Sequence, residues 1–208
     1  MNIDVRGQTV LVTGAAHGFG RAIAAAFATR GATVFACDVV ERELVETLQL
    51  LGEHGDVAKV DVTNRVEVDA WVQSAWARTG RIDVLVNNAG GVLGQVGQPL
   101  ERVSVEEWQA IVSVNQTAAF WTAQAVSPAM KEARSGRIIN ITSVVGLMGN
   151  AGQANYAAAN SYLDALGGSR NALGAVASCL QFPLVSGAGG SKCASRSPLS
   201  HSPSRAHV

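Results

Sequence analysis

The chain has 208 residues, 48% of them hydrophobic and 15% charged, which gives one domain with a sizeable core and excludes a disordered polymer. Its 16 Lys and Arg balance 16 Asp and Glu, for a formal net charge of zero, so a general basic field for nucleic acid or an anionic membrane is absent. The 3 cysteines (Cys37, Cys179, Cys193) form no CxxC pair, so neither a metal or redox motif nor a disulfide-stapled secreted domain is expected. No apolar run approaches the ~20 residues of a membrane span. The start, MNIDVRGQTVLVTG, lacks a basic region followed by a long apolar segment, so no signal peptide is expected and a cytoplasmic location is.

Up to about residue 145, short β-branched runs alternate with longer helical stretches. Thr9–Thr13 reads as a buried strand running into glycines, Arg21–Arg30 as a helix ended by Gly31, and Thr33–Cys37 as a second strand ending at Asp38. Glu41–Leu51 is helical, Val57–Val60 a short strand, Arg65–Thr79 a helix and Ile82–Val86 a fourth strand. Ser104 is placed to cap a long helix running to about Met130, with Glu106 and Glu107 in its first turn, where the helix dipole favours carboxylates. Arg137–Ile141 reads as a fifth strand, Ala154–Leu166 as an Ala-rich helix and Val176–Phe182 as one more short strand. Apolar strands separated by helices imply a parallel sheet covered on both faces. The expected fold is an α/β, Rossmann-like, doubly wound parallel sheet in three α/β/α layers, its C-terminal strand or strands missing or degenerate. The domain is expected over residues 1–185. Residues 186–208, rich in Ser, Pro and Gly, read as a disordered or irregular tail.

Chemistry enters at Thr13-Gly14-Ala15-Ala16-His17-Gly18-Phe19-Gly20, between the first strand and the first helix. Gly14 permits a tight turn, Gly18 lets a pyrophosphate approach backbone, and Gly20 lets the helix pack closely on the strand, while the helix N-terminus attracts the anion. His17 reads as a polar loop residue near the cofactor phosphates, with Phe19 beside it. Asp38 ends the second strand, where a carboxylate accepts hydrogen bonds from a ribose diol and repels a 2′-phosphate. With no Arg in the glycine loop or directly after Asp38, NAD is favoured over NADP.

TGxxxGxG followed by Asn87-Asn88-Ala89-Gly90 resembles the classical short-chain dehydrogenases/reductases. Further matches are Asp61-Val62 after the third strand, Asn115 in the long helix, Ser143 after the fifth strand and Tyr156 thirteen residues later. The order and spacing agree over roughly residues 5–166. The resemblance implies an NAD(P)-dependent oxidoreductase of secondary alcohols and ketones, with Tyr156 as acid/base, Ser143 as partner of the substrate oxygen and Asn115 in a proton relay. It places Gly14, Gly18, Gly20, Asp38, Asp61, Val62, Asn88, Ala89 and Gly90 around the cofactor. A Tyr hydroxyl can supply the proton that accompanies hydride transfer, but a free phenol titrates near pH ~10 and needs a neighbouring cation to work closer to neutrality.

The family supplies that cation with a Lys four residues after the Tyr. Here the text is Tyr156-Ala157-Ala158-Ala159-Asn160. Asn160 is expected to keep a weakened cofactor contact without the charge, and hydride transfer is expected to fall by orders of magnitude. The run Gln153–Leu166 looks like the ketoreductase domains of polyketide synthases, which also carry YxxxN, but these exchange the two residues and place Lys where Asn115 stands. The alternative reading is therefore a catalytically inactive dinucleotide-binding or subunit-interaction member. The end of the chain is also atypical: Leu184 stands where the family has the Gly of a Pro-Gly turn, and a seventh strand is not visible, through divergence or a changed reading frame. The Ala-rich faces of the long and tyrosine helices suit close helix approach, and in the family they imply a homodimer or homotetramer. The implied partners are a small alcohol or ketone and further copies of the chain, with no nucleic acid and no membrane.

Overall fold

The computed structural model describes residues 4–172 and 177–183. Among these residues six parallel strands form one sheet in the order β3-β2-β1-β4-β5-β6. The strands are β1 (Thr9–Thr13), β2 (Thr33–Asp38), β3 (Gly55–Lys59), β4 (Val84–Asn87), β5 (Arg137–Ser143) and β6 (Ala177–Phe182). The connecting helices are α1 (Gly18–Ala28), α2 (Glu41–Leu51), α3 (Arg65–Thr79), α4 (Val105–Val112), α5 (Ala118–Glu132), a short α6 (Val145–Met148) and α7 (Ala154–Ala172). No helix of the described residues is long and apolar enough to cross a membrane.

Side chains alternate across the pleat, so each strand feeds two cores. Val10, Val12, Val34, Ala36, Val84 and Val86 pack with Ala24 and Ala28 of α1. Leu11, Phe35 and Leu85 face the opposite way, toward Trp71 of α3 and Ala123 and Val126 of α5. Helices thus cover both faces, as the continuous apolar strands require. Over β5 and β6 the first of these faces is less covered by the described residues: Ile139 and Ile141 are half-buried and Leu180 is exposed.

The expected doubly wound architecture is present, with boundaries that differ for identifiable reasons. Helix α1 begins at Gly18 instead of Arg21, so Gly18 and Gly20 lie inside its first turn. Strand β3 begins at Gly55, two residues before the apolar run, because its ladder with β2 starts at the Val34–Gly55 pair, while Val60 and Val62 are buried in the core from the turn after the strand. Ile82 is likewise buried outside β4; the chain there is tied by the Asp83 carboxylate, which accepts from the Thr9 N–H at 2.8 Å. The long helix is broken into α4 and α5 by a π-helical turn at Ser113–Thr117, and α7 runs on to Ala172. The sixth strand is in place beside β5. The expected tail at 186–208 lies outside the described residues.

Ser104 caps α4 as its sequence position suggests. Its hydroxyl accepts from the Glu107 N–H, and the Glu107 carboxylate accepts from the Ser104 N–H at 2.9 Å. This reciprocal box holds the Glu107 carboxyl below the usual carboxylate range, first through the Ser104 N–H and then through the Gln98 amide.

Candidate active site

The strand order reverses between β1 and β4, and that is where an open α/β sheet leaves a crevice beyond its strand ends. The glycine turn fills the β1 side of it. Gly14 has φ +66°, and a Cβ there would lie 2.7 Å from the Ala89 Cα. A Cβ on Gly20 would lie 2.0 Å from the Gly14 carbonyl oxygen. These glycines therefore let the start of α1, the turn and the end of β4 come together.

Asn88 locks that junction, donating from Nδ2 to the carbonyls of Thr13 (3.1 Å) and Gly14 (2.9 Å). The N–H groups of Asn88 and Ala89 both donate to the Thr13 hydroxyl at 3.0 Å. Thr47 and Arg21 hold the turn from its other side, at the carbonyls of Ala15 and Ala16. His17 is the N-cap of α1, its side chain makes no capping hydrogen bond, and the first turn carries no acidic residue. The leading N–H groups of α1, on Gly18, Phe19 and Gly20, thus have no intrahelical partner and form a donor cluster suited to an anion.

The Asp38 carboxylate accepts from the Ala16 N–H at 2.9 Å and the Val40 N–H at 3.0 Å. A fixed negative charge therefore stands beside the turn at the end of β2. Asp61 sits farther along the same sheet edge, its Oδ1 accepting from the N–H and hydroxyl of Thr63, while Val62 is buried in the core.

On the other side of the crevice, the structure places Asn115 in the π-helical turn, 7% exposed. Its Oδ1 accepts from the Gly91 N–H at 2.8 Å, and its Nδ2 donates to the carbonyls of Gly91 and Ile111, both at 2.9 Å. Asn115 thereby pins the Ala89-Gly90-Gly91 segment to the helix, and its side-chain amide is occupied in doing so.

Ser143 ends β5, and its hydroxyl accepts from the Val145 N–H at 3.2 Å. Tyr156 lies in the first turn of α7, partly exposed. Asn160 joins the two backbones: its Oδ1 accepts from the Ser143 N–H at 2.9 Å, and its Nδ2 donates to the Tyr156 carbonyl at 2.9 Å. It is 3% exposed. The expected role of Asn160 as a cofactor contact meets a different geometry, an inward amide engaged with β5 and α7. Among the described residues the lysines are Lys59, at the end of β3, and Lys131, in the last turn of α5. Neither lies on an element that carries Ser143 or Tyr156.

Asn87, the first residue of the Asn87–Gly90 run, also organises the site, with residues that belong to no motif. Asn87, Asn140 and Cys179 stand in register on β4, β5 and β6. Asn87 donates to Asn140 Oδ1 at 3.0 Å and accepts from the Thr122 hydroxyl at 2.6 Å. Asn140 Nδ2 reaches the Cys179 Sγ at 3.8 Å. Burial, the larger effect, and nearby Asp164 push the Cys179 thiol above its usual range. The Phe19 ring, at the glycine turn, meets the Phe182 ring at the end of β6 with centroids 5.0 Å apart. Phe182 thus ties the end of β6 to the glycine turn, from a residue type that fixed no role in the sequence; only its place at a strand end hinted at one.

A family model described as short chain dehydrogenase matches residues 8–167. The 3-oxoacyl-(acyl-carrier-protein) reductase FabG of Vibrio cholerae is 42% identical over 159 residues, 76% of this chain and 64% of that protein. The corresponding Escherichia coli reductase is 41% identical over 161 residues, 77% of this chain and 65% of its own. The chain thus spans just under two thirds of the length of these curated relatives. Among solved structures, a short-chain dehydrogenase from Streptomyces avermitilis superposes with a TM-score of 0.77 at 31% identity, over 84% of this chain and 65% of that one. A metagenomic short-chain oxidoreductase in complex with NADP gives a TM-score of 0.77 at 31% identity, over 84% and 81% of the two chains.

Proposed function

The chain belongs to the short chain dehydrogenase family, and from that premise we propose that it is an oxidoreductase acting on a carbonyl or secondary alcohol with a nicotinamide dinucleotide. The observation that carries this reading is the crevice at the β1–β4 reversal, with open helix N–H donors on one wall and Ser143 and Tyr156, joined through Asn160, on the other.

The residues present fit such a cofactor. The uncapped first turn of α1, with His17, Gly18, Phe19 and Gly20, suits the diphosphate. Asp38 stands where a ribose diol would be recognised. Asp61 and Val62, after β3, and Asn88, Ala89 and Gly90, after β4, would line the cofactor site. When bound, the dinucleotide supplies or takes up the hydride. The Tyr156 hydroxyl would donate a proton to the carbonyl oxygen during reduction and accept it during oxidation. The Ser143 hydroxyl would hold that oxygen by a hydrogen bond, and Asn115 keeps the segment after β4 in place. Asn160 supplies no positive charge, so Tyr156 works without the cation that eases proton transfer, and turnover is slow.

The Asp38 carboxylate, held by two backbone N–H groups, favours NAD because it would repel a 2′-phosphate. The curated relatives make 3-oxoacyl thioesters the first substrates to try. The exposed Val105, Trp108 and Phe120 of α4 and α5 support assembly into a homodimer or homotetramer. A second reading, a dinucleotide-binding member without turnover, is favoured by the inward, neutral Asn160.

Fluorescence titration with NADH and NADPH, followed by assays on 3-oxoacyl thioesters, ketones and alcohols, tests both readings. Binding with slow turnover supports the first and binding without turnover the second. Absence of dinucleotide binding overturns both.

A further inference from the structure

The loop after β4 and the helix that carries Tyr156 are joined by two side-chain amides. Asn155 immediately precedes Tyr156 and is 4% exposed. Its Oδ1 accepts from the Tyr156 N–H at 2.9 Å, and its Nδ2 donates to Gln95 Oε1 at 2.9 Å. Gln95 in turn donates from Nε2 to the Glu107 carbonyl at 3.2 Å. The chain of bonds has an obligatory donor at one end, the Tyr156 N–H, and an obligatory acceptor at the other, the Glu107 carbonyl. That polarity fixes the orientation of both amides, because flipping either one sets oxygen against oxygen or N–H against N–H. Nearby, a Cβ on Gly152 would lie 2.4 Å from the Gln98 backbone nitrogen, so loop and helix start are in close contact there. Gln98 itself donates to the Glu107 carboxylate at 3.0 Å.

We propose that Gln95 and Asn155 are a positioning pair that makes the loop after β4 and the first turn of α7 move as one body. The loop is pinned to the π-helical turn by Asn115, and the pair carries that restraint across to Tyr156. The loop after β4 and the proton-transferring phenol are then held in one geometry. This rests on the oxidoreductase reading above, where a misplacement of about 1 Å costs on the order of 100-fold in rate.

The test uses the whole chain carrying Gln95→Leu, Asn155→Leu, both together, or Asn155→Asp. The last variant keeps the acceptor for the Tyr156 N–H and adds a carboxylate that the start of a helix favours, but it removes the donor to Gln95. Hydrogen exchange is read on segments 88–103 and 154–160, alongside turnover and dinucleotide affinity. Each single variant is expected to speed exchange in both segments and to lower kcat by about 10- to 100-fold, with dinucleotide affinity kept within about twofold. The double variant is expected to be no worse than the worse single one, because one bridge is broken only once. Unchanged exchange in either segment, multiplying effects in the double variant, or unchanged kcat would overturn the proposal. Should the parent chain neither bind dinucleotide nor turn over, the oxidoreductase reading fails by itself. Linked exchange in the two segments then supports the bridge, and independent exchange refutes it.

Discussion

Replacing Asn160 with lysine sets two effects against each other. The ammonium supplies the cation that Tyr156 lacks, and general acid–base catalysis of this kind is worth about 10²–10⁴-fold, or about 3–5 kcal/mol of barrier. The same change removes the oxygen that accepts from the Ser143 N–H at 2.9 Å. Asn160 is 3% exposed, so an N–H left there without a partner costs about 1–3 kcal/mol. A middle value of about 4 kcal/mol gained at the transition state is a rise in kcat of about 1000-fold, whereas the lost hydrogen bond, about 2 kcal/mol, is common to the ground and transition states and appears in stability alone. Stability moves the other way, by a fall in Tm of about 4–8 °C for a domain of this size. Steady-state turnover on a 3-oxoacyl thioester and a thermal melt read the two effects separately. Asn160→Ala is the control, expected to lower both. An Asn160→Lys protein that melts at or above the parent would refute the bracing role of Asn160. One that is destabilised but no faster would refute the assignment of slow turnover to the missing charge.

Gly20→Ala sets a methyl group 2.0 Å from the Gly14 carbonyl, so α1 must shift, at a cost of about 1–3 kcal/mol; fluorescence titration should show NADH binding weakened by about tenfold or more. Asp38→Asn removes the charge that opposes a 2′-phosphate and should shift the NADPH-to-NADH affinity ratio about tenfold toward NADPH, the size of a 1.4 kcal/mol electrostatic difference. The Glu107 carboxyl is held below its ordinary range by the Ser104 N–H and then Gln98. Its contribution to stability is thus complete above the unfolded carboxylate pKa, near ~4.3, and is lost as pH falls through the lower folded value. Hydrogen exchange of residues 100–110 should accelerate across that acid window in the parent, and this pH dependence should be absent in Glu107→Gln.

Much of the fold is legible along the chain because its signals are local. Glu41–Leu51 and Arg65–Thr79 are bounded in the structure as their patterning indicates. The capping box needs only Ser104 and a Glu three residues on. Boundaries moved where burial and strand pairing part company: Val60, Val62 and Ile82 are core residues outside the ladders, and an apolar run does not distinguish the two. The π-helical turn at Ser113–Thr117 is not legible along the chain either, and the Asn115 side chain within it bonds Gly91, 24 residues away.

The doubly wound sheet, the glycine turn at its reversal and the residue types around the crevice are all legible in residue order. These depend on side-chain periodicity and on motifs whose spacing survives folding. What the amides do is set by packing. An Asn or Gln carries a donor and an acceptor with no charge to bias its choice of partner, so its role is set by which backbone groups the fold brings near. Asn160 turns inward to Ser143 and Tyr156, Asn155 reaches Gln95 sixty residues away, and Asn88 closes the glycine turn from another strand. The absence of a lysine four residues after Tyr156 is plain in the sequence, and what occupies its place is a brace that only packing reveals.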